Sequence, residues 1–138
     1  MKIVYWSGTG NTEKMAELIA KGIKEAGKEA EVISVNDANS NVFDEEDVAI
    51  LGCPAMGNEV LEECEFDPFI EDISASLNGK KVALFGSYGW GDGQWMREWE
   101  DRMLGYGCVI QLDCLLVNET PEDDDASCIE FGKKIAAL

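Results

Sequence analysis

The residues best able to do chemistry lie in four short, separate stretches. The first, Ser7-Gly8-Thr9-Gly10-Asn11-Thr12, sets two glycines among three hydroxyls and a carboxamide. The glycines allow close backbone approach, and the following helix start adds free N–H groups, a combination suited to a phosphate. The same residues also read as a plain helix N-cap with loop glycines. They include no Lys or Arg, so a phosphate here rests on local neutral donors. The second stretch, Met56-Gly57-Asn58-Glu59, offers an apolar cover for a flat ring and a carboxylate that can accept from a ring N–H. Met56 reads equally as packing, and Glu59 as a surface acid. Gly57 and Asn58 both tolerate positive φ, so the peptide between them can face either way. The third, GSYGWGDG over 86–93, carries Tyr88 and Trp90 between glycines. They are placed either to stack on a ligand or to fold back over a sheet edge. The fourth is 118–121, at the end of the last predicted strand.

Positioning these stretches requires a scaffold, and the chain alternates strands and helices. A β-prone run at Ile3–Trp6 precedes a helical stripe over Glu13–Ala26, with Met15, Ile19 and Ile23 in phase and Gly27 as a stop. Ala30–Val35 reads as a second strand. Val48–Gly52 (VAILG) is apolar throughout, as a strand covered on both faces should be. Phe66, Phe69, Ile70, Ile73 and Leu77 mark a second helix. Val82–Phe85 reads as the fourth strand. Trp95, Met96, Trp99 and Met103 form a helical stripe, which places both tryptophans in the core. Cys108–Val117 reads as the fifth strand, interrupted at Asp113, and a last helix runs through Cys128, Phe131 and Ile135. This alternation predicts an α/β fold: a parallel sheet with helices on both faces and right-handed crossovers. Ligands then bind beyond the carboxyl ends of the strands, where all four stretches fall.

Composition narrows the function. The 138 residues fit one domain, 1–138, with no linker or repeat. Lys plus Arg number 11 against 28 Asp plus Glu, a net charge of −17. That charge argues against nucleic acid and anionic membrane as partners and favours basic protein faces. The absence of His removes Ser-His-Asp and Cys-His catalysis, and histidine metal ligation with them. The five Cys include no C-x-x-C pair, which leaves a metal site or disulfide framework unsupported. No apolar run nears a membrane span and no leader pattern opens the chain, so a cytoplasmic protein with reduced thiols is expected. Cys53 and Cys108 are expected to be buried and Cys64 exposed.

Two glycine motifs fail on inspection. Asn11-Thr12 follows Gly10 where a Walker A loop needs Lys, and Glu13 stands where the dinucleotide fingerprint needs a third Gly or Ala.

Taken together, YWSGTGNT at 5–12, LGCPAMGNE at 51–59, LFGSYGWGDG at 84–93 and VNE at 117–119 resemble the flavodoxins, in particular the short clostridial type. The resemblance implies a three-layer sandwich with a five-stranded parallel sheet in the order 2-1-3-4-5. It also implies non-covalently bound FMN and no metal. By that likeness Ser7, Gly8, Thr9, Gly10, Asn11 and Thr12 hold the phosphate. Pro54, Ala55, Met56, Gly57, Asn58 and Glu59 line one side of the ring, with Met56 covering a face and Glu59 bonding the pyrimidine edge. Ser87, Tyr88, Gly89, Trp90, Gly91 and Asp92 line the other side, with Trp90 stacked, and Asn118 lies on the outer rim. The Gly57 carbonyl turns toward flavin N5 and favours the neutral semiquinone. Asn58 stands where some relatives have an acid, and Pro54 where a hydroxyl residue can occur.

The implied function is a low-potential one-electron carrier working between redox proteins such as reductases and ferredoxin-type acceptors. It has no catalytic residue, and a monomer suits it. An acidic rim of Glu59, Glu62, Glu63 and Asp92 is expected to disfavour the anionic reduced ring. The alternative is a small FMN-dependent reductase of NAD(P)H or quinone, for which few residues remain to build a second binding surface. A phospho-receiver needs Asp at the end of the third strand, where Cys53-Pro54 stand. A low-molecular-weight phosphatase needs Arg six residues after its Cys, where Glu59 stands.

Overall fold

A computed structural model describes residues 1–138. Five strands, β1 (Lys2–Tyr5), β2 (Glu31–Ser34), β3 (Val48–Gly52), β4 (Lys81–Tyr88) and β5 (Leu115–Asn118), form one sheet in the order 2-1-3-4-5. Every pairing is parallel. Ile3 is in register with Val32 and Ile50, Ile50 with Ala83, and Phe85 with Leu115. The helices are α1 (Asn11–Glu25), α2 (Phe66–Ile73), α3 (Gln94–Gly105) and α4 (Ala126–Ala136).

Strand alternation divides the core into two halves. Val4, Ala49, Leu51, Val82 and Leu84 face α2 and α3, where Phe66, Ile70, Trp95, Trp99 and Met103 pack. Ile3, Val48, Ile50, Ala83 and Phe85 face α1 and α4, where Met15, Ile19, Ile23, Phe131 and Ile135 pack. Trp95 and Trp99 are each 1% exposed, as the helical stripe predicts. Helices α1 and α4 approach closely: a Cβ at Gly132 would stand 2.1 Å from the Ile19 carbonyl oxygen, and one at Gly22 1.9 Å from that of Ile129.

Several boundaries differ from the sequence reading. Helix α1 begins at Asn11, so Asn11 and Thr12 belong to its first turn. Strand β4 continues through Gly86, Ser87 and Tyr88, which the glycines had suggested was a break. Ser87 pairs with Val117 and Tyr88 with Asn118, so hydrogen bonding to β5 overrides weak local propensity. The fifth strand is shorter than expected. Only Leu115–Asn118 joins the sheet, and the earlier apolar run touches it at a single bridge between Lys81 and Val109.

Candidate functional site

At the carboxyl ends of the strands, β1 runs through Trp6–Gly10 into the start of α1. Gly10 closes this loop at φ 93° and, as the residue at the N-cap of α1, offers no side-chain cap of its own. Ser7 Oγ instead accepts from the Gly10 N–H at 3.1 Å and the Glu13 N–H at 3.3 Å, which leaves its proton free to donate outward. Thr12 is 1% exposed, and its hydroxyl pairs with Ser87 Oγ at 3.0 Å. That bond joins the first loop to β4 from beneath.

The loop after β3 makes a tight turn in which the Glu59 N–H donates to the Met56 carbonyl at 2.8 Å and the Met56 N–H to the Val60 carbonyl at 3.1 Å. Positive φ falls on Glu59, at 54°, and on neither Gly57 nor Asn58. A turn with ordinary φ at both central positions has this form, and its fourth residue, Glu59, absorbs the left-handed step. Glu59 Oε1 is buried without a hydrogen-bond partner. The backbone of Gly91 lies against it: a Cβ there would stand 1.9 Å from that oxygen. The loops after β3 and β4 therefore meet at an unpaired carboxylate.

Beyond β4, the Tyr88 ring packs on Trp95 with centroids 5.9 Å apart, so Tyr88 is a strand residue tied to the core. Trp90 is 62% exposed, which no helix or strand packing explains. Asp92 turns back to Arg97, with Oδ1 3.1 Å from Nη2. Asn118 Nδ2 donates to the Tyr88 carbonyl at 3.4 Å.

These segments enclose a cavity of about 350 Å³, within the ~300–1,000 Å³ usual for small-molecule sites. Gly8, Thr9, Asn11, Pro54, Ala55, Met56, Gly57, Ser87, Tyr88 and Gly89 line it. Of the other expected residues, Ser7, Gly10 and Thr12 support the first loop from behind, and Asn58, Glu59, Trp90, Gly91, Asp92 and Asn118 lie outside the lining. Trp6 and Glu119 line the cavity without having been singled out. Trp6 adjoins the first stretch and Glu119 lies within the fourth, and that placement was the available signal. Glu119 holds φ 58°, and its N–H donates to the Tyr88 carbonyl at 2.7 Å. A depression of similar volume at the amino ends of the strands is lined by Lys2, Asp37, Asn39, Asn41, Val42, Asp44 and Glu45 and offers no aromatic wall.

Glu62 differs from its expected place on the acidic rim. Its carboxylate is buried and accepts from the backbone N–H groups of Cys64, Glu65 and Phe66 at 2.7–2.8 Å, at the N-terminus of α2. Burial pushes its pKa up, but these three bonds outweigh it and hold the group below the ordinary carboxylate range. Burial pushes the Cys53 thiol up to about 12 and the Cys108 thiol up to about 11, so both stay protonated and inert at neutral pH. Cys64 is exposed, as expected.

A doubly wound sheet with a glycine-rich helix start and an apolar-walled cavity at its carboxyl edge defines a mononucleotide-binding protein of the α/β class. The flavodoxin family model matches residues 3–132. The flavodoxin of Clostridium beijerinckii is 66% identical over all 138 residues and 100% of both chains. That of Megasphaera elsdenii is 46% identical, covering 99% of this chain and 98% of its own. The solution structure of two-electron reduced Megasphaera elsdenii flavodoxin superposes with a TM-score of 0.91 at 45% identity, over 99% of this chain and 98% of that one. The chain belongs to the flavodoxin family. It is an FMN-binding electron-transfer protein and not an enzyme.

The residues present fit FMN. The glycine-led start of α1 suits the phosphate, the buried unpaired Glu59 oxygen lacks only a donor such as a ring N–H, and Trp90 offers an uncovered aromatic face.

Proposed function

We propose that residues 1–138 act as one FMN-binding domain that carries single electrons at low potential between redox proteins. Bound FMN supplies a ring that takes up and gives up electrons one at a time. In this reading Ser7, Thr9 and Asn11, with the backbone N–H groups of Gly8 and Thr12, hold the phosphate, and the Gly10 N–H fixes Ser7 Oγ in place. Met56 and Trp90 enclose the ring and exclude water, while Tyr88 props the floor against Trp95. Glu59 accepts from the pyrimidine edge. Pro54, Ala55, Ser87, Gly89, Gly91 and Asn118 shape the wall, and the Gly57 carbonyl is free to hold a proton at the ring's central nitrogen. One observation carries the reading: Glu59 Oε1 is buried without a partner where two loops meet.

Exposed Glu63 and Glu119 lie near this edge, with Asn58 neutral among them. A carboxylate ~10 Å from added negative charge disfavours it by roughly 0.5–1 kcal/mol at an intermediate dielectric. Several such groups lower the potential of the last electron. Glu62 contributes less than its position suggests, because the N-terminus of α2 balances it. The same acids steer basic docking faces of reductases and ferredoxin-type acceptors. Five free cysteines suit the reducing cytoplasm. A monomer leaves the ring edge open to successive partners.

The test is an anaerobic reductive titration of the FMN-reconstituted protein followed by visible absorbance. Two resolved one-electron stages are expected. Direct two-electron passage refutes the carrier reading, and failure to bind FMN refutes the site.

A further inference from the structure

We propose that Thr120 is a positioning residue for the phosphate loop: its hydroxyl fixes which end of the Asn11 carboxamide faces the ligand. Thr120 Oγ1 donates to Asn11 Oδ1 at 2.9 Å, across 109 residues of chain. Asn11 is the first residue of α1 and lines the cavity. A carboxamide has one accepting and one donating end, and a phosphate oxygen accepts hydrogen bonds. With Oδ1 held by Thr120, the Nδ2 group is left to face the loop interior. Reversed, the amide would present oxygen to oxygen.

Thr120 sits on a fixed strap. On one side the Glu119 N–H is bound to the Tyr88 carbonyl at 2.7 Å. On the other, Asp123 pairs with Lys14 at 2.9 Å and Asp124 with Lys21 at 2.8 Å, before Asp125 caps α4 through the N–H groups of Ser127 and Cys128. The hydroxyl is therefore presented by anchored backbone. Amide orientation matters more here than in a basic phosphate site, because the loop holds no cation and Lys14 is engaged by Asp123.

The inference rests on the reading that residues 7–12 hold the FMN phosphate, and the experiment separates the two. Dissociation constants for FMN and for riboflavin, which lacks the phosphate, are measured on apoprotein for wild type, Thr120→Val, Thr120→Ser, Asn11→Ala and Asn11→Ala/Thr120→Val. Thr120→Val is expected to weaken FMN about two- to tenfold, the range of one modest hydrogen bond. Riboflavin affinity should be unchanged, Thr120→Ser should match wild type, and Thr120→Val should add nothing once Asn11 is alanine. Equal weakening of both ligands, unchanged FMN affinity in Thr120→Val, or additivity in the double variant overturns the positioning role. If Asn11→Ala itself leaves FMN affinity intact, the phosphate-loop reading falls, and this inference with it.

Discussion

Gly91→Ala tests the contact between the two ring-side loops. Gly91 holds φ 89°, and an added Cβ would stand 1.9 Å from Glu59 Oε1 and 2.5 Å from Cδ. Two effects follow, and they report in different assays. The left-handed backbone strains an alanine by about 1–2 kcal/mol, with or without ligand. On a chain of this size that lowers the apoprotein Tm by roughly 3–8 °C. The second effect is displacement of Glu59. A side chain can retreat where backbone cannot, so the carboxyl leaves the position where it accepts from the ring edge. A hydrogen bond to a charged acceptor is worth about 1.5–3 kcal/mol, so loss of that bond weakens FMN by roughly 10- to 100-fold. Glu59→Ala sets the ceiling for this second effect. In the Glu59→Ala background nothing is left to displace, so Gly91→Ala should lower Tm again while leaving FMN affinity nearly unchanged. Quenching of FMN fluorescence on titration with apoprotein gives the affinities. The reasoning is refuted if Gly91→Ala binds FMN within twofold of wild type, or weakens it by the same factor in both backgrounds.

Glu62→Gln should destabilise the protein by about 1–2 kcal/mol at pH 7, as loss of a helix-start acceptor does. The folded pKa of Glu62 is depressed, so its contribution is present above the unfolded carboxylate value and is lost as pH falls through the folded one. The gap between variant and wild type in urea unfolding should therefore close in acid, and a gap independent of pH would count against it. Thr12→Val strands Ser87 Oγ in a buried site and should cost about 1–3 kcal/mol. Adding Ser87→Ala should recover part of that loss, and a purely additive double variant would exclude coupling. At Gly57 an added Cβ would meet no atom within 4 Å and the backbone lies outside the left-handed region, so Gly57→Val starts from open space. Urea unfolding should accordingly change by less than ~1 kcal/mol, while potentiometry finds the two one-electron steps moved relative to each other. Unmoved steps would remove the Gly57 carbonyl from the site's chemistry.

Much of this architecture was legible because burial and period coincide. The strand VAILG at 48–52 is buried on both faces, and its apolar run marks it without ambiguity. Met15, Ile19 and Ile23 in α1 are legible for the same reason. The site was legible as four loops because glycines and hydroxyls concentrate there. Other features depend on partners that no local window contains. Gly86 and Ser87 lack strand propensity and, with Tyr88 between glycines, are held extended by β5. The run from Cys108 has that propensity, but only one bridge ties it to the sheet before Leu115. Left-handed backbone at Glu59 and Glu119 is invisible because carboxylates give no sign of it. Glu62 did carry a signal, since it stands just before the apolar stripe of α2, but spacing alone does not separate a helix-start acceptor from a surface acid.

The pairing of Lys14 with Asp123 leaves the phosphate loop without a free cation, and this decides how the cofactor arrives. A ligand with a phosphate charge of about −1.5 to −2 must approach a protein of net charge −17. Diffusion then works against the field until the last few ångströms, where neutral donors take over. Added salt shortens the reach of that repulsion, from ~30 Å at 0.01 M to ~8 Å at 0.15 M. Capture of FMN should accelerate with ionic strength while its escape barely changes, the reverse of the salt response of a cation-lined phosphate site. Stopped-flow mixing across a salt series reads this directly, and a capture rate that falls with salt would reveal a hidden positive charge at the entrance.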